Sequence, residues 1–345
     1  MMRSAKVYDQ AAAAIRYLPP ASRHGLLDTR SLVRLATLAA SSHNSQPWRF
    51  RIARDRITIL PDYRRRCPVV DPDDSHLFES LGCAAENLVV AAAAQGFDAQ
   101  ASYSQSLDAV VVDLERSDWA RANELYPAIA QRQCVRRPYN GRPLGRAELD
   151  KLTQAGRGGS RAQTVMLVTD AAKEAVVDFV TQGNALQLTD RAYRRELASW
   201  IRFNSREALR HGDGLSARAN RRLPLPSWPA RLLSKPLLDP ERQSARDRKQ
   251  IRTAAGVAVF VSAEHDKASW VEVGRTCQRF LLQAAALNIR TAFINQPIEA
   301  RSLRGQFESW LQLKGERALL MVRFGHGPKA PFSLRRPLDE VILTE

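Results

Sequence analysis

Residues 41–48 read Ser-Ser-His-Asn-Ser-Gln-Pro-Trp, directly after the helical run Leu32 to Ala40. Ser41, Ser42 and Asn44 carry short hydroxyl and amide groups close to the main chain, the reach needed to meet the edge of a planar polar ring. Pro47 sets the turn that follows, and Trp48 offers an apolar anchor. A second set of polar residues is basic. Arg132, Gln133, Cys134 and Arg136 fall within Ile129 to Tyr139, and Arg335 and Arg336 within Ser333 to Val341. A guanidinium stays charged at any relevant pH and presents a planar fork of donors that matches a phosphate. Acid–base and metal chemistry find less support. No Gly-x-Ser-x-Gly elbow occurs, and the six histidines sit in no triad context. Cys67, Cys83, Cys134 and Cys277 are scattered without a Cys-x-x-Cys pair, so neither a zinc site nor a disulfide framework is expected. Gly156-Arg157-Gly158-Gly159 does not follow a strand as a dinucleotide-binding fingerprint requires.

The elements that must carry these residues follow from periodicity. Phe50, Ile52, Ile57 and Ile59 alternate as in a half-buried strand pair. Further on, the chain repeats itself weakly at an offset of 192 residues: Ser80 to Ala94 matches Glu272 to Ala286, without a gap. Each copy holds one glycine (Gly82, Gly274), a polar pair four and five residues later, three large apolar residues, and then mostly alanine. Both predict helices with a wide apolar face. Each follows a strand-like segment (Arg56 to Leu60, Gly256 to Val261) and precedes another (Gln100 to Tyr103, Thr291 to Ile294). The expected fold class is therefore α+β in two halves, residues 1–127 and 128–345. Within the second half, about 204–250 is rich in proline and reads as one irregular segment, with Leu223 to Pro229 and Lys235-Pro236 breaking helices and ladders alike. Its leucines and Trp228 suggest a lid that packs on something.

The 345 residues, 44% hydrophobic and 26% charged, suit a globular chain. No run of about 18 apolar residues predicts a membrane span. The start lacks a convincing signal peptide, so a cytoplasmic location is expected. A net charge of +16 favours non-specific polyanion binding at low salt. The arginine pairs, however, are short, dispersed and not interleaved with aromatics, so no specific nucleic-acid partner is expected.

Taken in order, these strings resemble the nitroreductase superfamily. Ser41 to Trp48 resembles its flavin-edge loop. Ile129 to Tyr139 is similar to its opening segment, which implies that Arg132, Gln133, Cys134 and Arg136 contact flavin phosphate and ribityl groups, with Cys134 where serine is usual. Asn295 to Ala300 resembles the Pro-Ile-Glu-Gly loop; this implies Pro297, Glu299 and Ala300 at the flavin, with a backbone N–H against N5 and Ala300 replacing glycine. Ser333 to Val341 resembles the basic C-terminal strand, implying a further charge from Arg335 or Arg336. The loop occurs only in the first half and the phosphate grip only in the second. The resemblance thus implies two nitroreductase-like α/β halves forming an intramolecular pseudo-dimer with one FMN site, as in the Acg-like branch. Expected function is hydride transfer from NAD(P)H through the flavin to a small-molecule acceptor such as a quinone or nitroaromatic. No catalytic residue is needed for this, and either a monomer or a homodimer would serve. The alternative is a flavin-storage or sequestration protein with a closed lid and little turnover.

Overall fold

A computed structural model describes residues 2–21, 27–159, 161–220 and 239–343. Its framework is a pair of four-stranded antiparallel sheets. The first contains β1 (Trp48–Ile52), β2 (Arg56–Pro61), β3 (Phe97–Ser104) and β4 (Ala109–Arg116), in the order β1-β2-β4-β3. After β5 (Gln163–Leu167) come β6 (Ile201–Arg202) and β7 (Leu215–Ser216), which form a short parallel ladder of their own. The second sheet is completed by β8 (Gly256–Ser262), β9 (Ile289–Phe293) and β10 (Arg317–His326), in the order β5-β8-β10-β9. Both sheets therefore have one order, first-second-fourth-third, with a long helix between the second and third strands.

Helices precede, join and cover these sheets. In the first part they are α1 (Met2–Ala14), α2 (Thr29–Ala36) and α3 (Ser75–Ala93), followed by α4 (Leu125–Gln131) and α5 (Arg146–Ala155). Next come α6 (Asp170–Thr189), α7 (Arg191–Trp200), α8 (Ser205–His211) and α9 (Pro240–Arg252). The last are α10 (Lys267–Ala286), α11 (Gln296–Glu299), α12 (Arg301–Trp310) and α13 (Leu338–Val341). No helix among the described residues is long and apolar enough to cross a membrane.

The sequence repeat becomes a packing motif. Helices α3 and α10 cross where Gly82 and Gly274 replace side chains with backbone. A Cβ on Gly82 would lie 2.0 Å from the Val271 carbonyl oxygen, and one on Gly274 would lie 2.0 Å from that of Glu79. Only glycine permits so close an approach. The polar pairs of the two copies then exchange partners about the same crossing: Arg279 Nε donates to Glu86 Oε1 at 2.7 Å, and Gln278 Nε2 to Asn87 Oδ1 at 2.7 Å. Nearly every side chain of α3 is buried, including the polar His76, Glu79, Glu86 and Asn87. One apolar cluster joins Trp48, Phe50, Phe78 and Leu88 to Phe260, Phe280 and Phe324 and so spans both sheets.

The expected alternation after Trp48 forms the β1–β2 hairpin, in which Phe50 pairs with Ile59 and Ile52 with Ile57. Residue 127 lies inside α4. The expectation of one irregular segment at 204–250 is corrected at both ends. Asn204 caps α8 through its side chain, and Asp239 with Pro240 starts α9, whose Asp247 and Ile251 are buried. The proline-rich stretch with Trp228 lies outside the described residues.

Candidate functional site

Helix α2 stops at Ala36 and leaves the carbonyls of Thr37, Leu38 and Ala39 turned outward, the negative end of a helix. Two buried arginines fill that position. Arg335 donates from Nε to Thr37 O and from Nη2 to Leu38 O at 3.0 Å and Ala39 O at 3.1 Å. Arg132 Nη2 reaches the same Leu38 oxygen at 2.8 Å. Beside them Arg16, just past the end of α1, donates to Ala12 O and lies over the Phe332 ring, 4.2 Å from its centroid. These three side chains open on a cleft, together with Ser41, Asn44, Gln133, Cys134 and Arg136.

The electrostatics of this cleft are one-sided. Arg16, Arg132 and Arg335 are 8, 5 and 7% exposed. Burial depresses the pKa of Arg335 far below the usual arginine value, and Arg16 and Arg132 add repulsion. Burial and then Arg132 push Arg16 down to about 9; burial also lowers Arg132. Among the described residues no carboxylate pairs with any of the three, and Nε of Arg16 and of Arg132 has no hydrogen-bond partner. Buried charges of one sign with idle donors favour an anion between them.

The loop at residues 41–48 faces this group across the cleft in a strained shape. His43, Asn44 and Gln46 have φ of 50°, 56° and 55°, the left-handed region. Each such residue costs on the order of 1 kcal/mol or more unless its surroundings over-determine it. Here they do. Gln46 Nε2 donates to Gly212 O at 2.9 Å, and its Oε1 accepts from Arg336 N at 2.9 Å. Asn44 Nδ2 donates to Gly214 O at 3.3 Å and Leu334 O at 3.4 Å, while Gly214 N returns a bond to Asn44 O at 3.2 Å. Between those glycines Asp213 accepts from Arg202 and from Arg65. The turn after α8 and the C-terminal segment thus clamp the loop.

Of the residues singled out in the sequence, Ser41, Asn44, Arg132, Gln133, Cys134, Arg136 and Arg335 line the cleft. The other five do not. Ser42 faces a smaller hollow with Ser45, Arg65 and Asp71. Arg336 is turned to Gln46 O and Glu340 O, and of the two only Arg335 lines the cleft. Pro297 and Glu299 lie on α11, with Ala300 at its end, and α11 packs on α6; Glu299 accepts from Gln187 at 2.8 Å. Burial and the nearby Arg136 and His76 push His43 down to about 4, so it is neutral at physiological pH and holds no proton to donate from a charged ring. The reading of the sequence missed Arg16, since a lone arginine after an alanine run carries no motif. Phe293 and Phe332, which also line the cleft, went unnoticed for the same reason.

An α+β chain with two like-ordered sheets and a buried arginine cleft is the class defined so far. Residues 129–326, more than half of the chain, match the Nitroreductase family, and the chain belongs to it. It is 26% identical over 332 residues to a Mycobacterium tuberculosis protein, Rv3131, whose name places it with the NAD(P)H nitroreductases; the match covers 91% of this chain and 90% of that one. A second protein of that organism, similarly named and designated acg, is 24% identical over 328 residues, covering 90% and 94%. Among solved structures, a nitroreductase with bound FMN from Desulfitobacterium hafniense aligns with 65% of this chain and 99% of its own, at 14% identity and a TM-score of 0.43.

Proposed function

We propose that this protein is an FMN-binding oxidoreductase that takes electrons from NAD(P)H and passes them to a small acceptor such as a quinone or nitroaromatic. The observation that carries this reading is the set of buried, acid-free guanidiniums at the end of α2, with two Nε donors idle and opening on the cleft. A phosphate monoester supplies the missing negative charge and acceptor oxygens. When bound, flavin supplies the two-electron hydride chemistry itself.

The chain's own residues then bind and orient. Arg132, fixed on the Leu38 carbonyl, holds the phosphate end with the more exposed Arg136, while Arg335, whose donors go to Thr37 O, Leu38 O, Ala39 O, Leu334 O and Ser333 Oγ, adds its charge beside them. Across the cleft, the clamped loop offers Ser41 and Asn44 to polar edges of a planar ring. Asn44 arrives there with its backbone already in the required conformation, so little ordering remains for binding. Cys134 also lines the cleft and suits a polyol chain, beside Gln133, whose amide is paired with the Ala330 backbone. We read residues 1–127 and 128–345 as two halves that build this one cleft between them.

The test is reconstitution with FMN followed by gel filtration, and then NADH and NADPH oxidation with a quinone or nitroarene. Retained flavin with turnover supports the reading. Retained flavin without turnover identifies a storage protein, and failure to retain flavin rejects both.

A further inference from the structure

The third guanidinium of the cleft comes from outside the family match at residues 129–326 and from no motif of the sequence. Arg16 follows α1, a helix docked by Tyr8 Oη on Phe332 O at 2.9 Å, by the Asp9–Arg218 ion pair, and by packing on α8. Among the described residues its one side-chain hydrogen bond, from Nη1 to Ala12 O at 2.9 Å, is to its own helix. Its stem and plane rest on Phe332, and its Nε is buried without a partner. Arg16 is therefore poised in the cleft and only partly used. Arg132 likewise makes one side-chain hydrogen bond, to Leu38 O, whereas Arg335 makes five, so the unspent donors of the three belong to Arg16 and Arg132.

We propose that Arg16 is a ligand of the cofactor's phosphate, carried in on the N-terminal helix, and that it tunes the cleft to a phosphate monoester over a diester. The inference rests on the reading of the cleft as a cofactor site. Its logic is charge balance. Two arginines suffice for one phosphate charge and its hydrogen bonds, whereas a monoester with a second pKa near 6 carries about two charges at neutral pH. A third buried guanidinium fits that second charge. FAD carries its two charges one on each phosphate of a pyrophosphate, so a guanidinium set gathered on a single phosphate gains less from it. Occupancy by phosphate also relieves the mutual repulsion of Arg16, Arg132 and Arg335, so binding tightens the docking of α1.

The experiment titrates the full-length apoprotein with FMN, FAD and riboflavin, following flavin fluorescence, for wild type, Arg16→Met and Arg132→Ala. Methionine keeps the packing on Phe332 without the charge. For Arg16→Met we expect FMN binding about 10- to 100-fold weaker, riboflavin binding unchanged, and a narrowed preference for FMN over FAD. If Arg16→Met leaves FMN binding intact, or weakens FMN and riboflavin alike, while Arg132→Ala weakens FMN selectively, the role of Arg16 is overturned and the cleft reading stands. If Arg132→Ala also leaves FMN binding intact, the cleft reading falls and takes this inference with it. Should Arg16→Met fail to fold, amide exchange of residues 4–16 in wild type decides: inorganic phosphate slows exchange if Arg16 binds it, and leaves it unchanged if not.

Discussion

Arg132 and Arg335, far apart in the chain, donate to one oxygen, the carbonyl of Leu38, at 2.8 and 3.0 Å. Two cations thus share the negative end of α2, which holds them about the cleft without a carboxylate. A carboxylate would have neutralised them and left nothing for an anion to do. A helix terminus orients them and leaves most of their charge available.

Arg132→Ala removes one charge-assisted contact to the phosphate. The expected loss is about 1.5–3 kcal/mol, or roughly 10- to 100-fold in FMN affinity. Flavin fluorescence titration checks it, with riboflavin as the control that should not change.

Asn44→Ala removes the bonds to Gly214 O and Leu334 O and puts a Cβ-bearing residue without that support at a φ of 56°. Asn44→Gly removes the same bonds but tolerates the backbone. Both variants should bind FMN more weakly, and the alanine variant should also melt lower. Equal melting of the two would show that the loop's strain is not held by this side chain.

Gly82→Ala sets a methyl against the Val271 carbonyl at the crossing of the two central helices. Overpacking of a rigid backbone contact should cost about 3 kcal/mol, seen in urea unfolding. Gly305→Ala on α12 is the control: nothing lies within 4 Å of its Cβ, so helix propensity should raise stability by up to about 1 kcal/mol.

Stability should fall as pH rises from about 5 to 8. Burial pushes Glu79 up to about 8, against the usual carboxylate value of the unfolded chain. Between those two values the native state holds a proton that the unfolded state has lost, so stability declines across that window and levels off above about pH 8. Glu79→Gln should flatten the dependence of the melting temperature between about pH 5 and 8; an unchanged slope would remove Glu79 as its source.

Asp213→Ala leaves the guanidiniums of Arg65 and Arg202 without their shared partner. Arg202 and Asp213 are both almost fully buried, so the loss should be about 3–5 kcal/mol. Chemical denaturation measures it, and the clamp on the loop at 41–48 should loosen with it, seen as faster amide exchange there.

Much of the frame was legible in the chain because it depends on local pattern. Alternation at Phe50 to Ile59 specifies a hairpin whatever lies around it. The repeat at offset 192 specifies two helices of one kind, since small residues recur where backbones must touch. Residue type also marked seven of the cleft's polar groups. What the pattern could not carry was direction and distance. Arg335 and Arg336 are adjacent and alike, yet successive residues in extended chain point to opposite sides, so one faces the cleft and the other turns to Gln46 and Glu340. The tertiary structure alone decided which. It also brought in Arg16, because no local rule links a residue past α1 to carbonyls past α2. Three like charges meet there only because packing of the helices forces them together, at a cost that binding of an anion would offset.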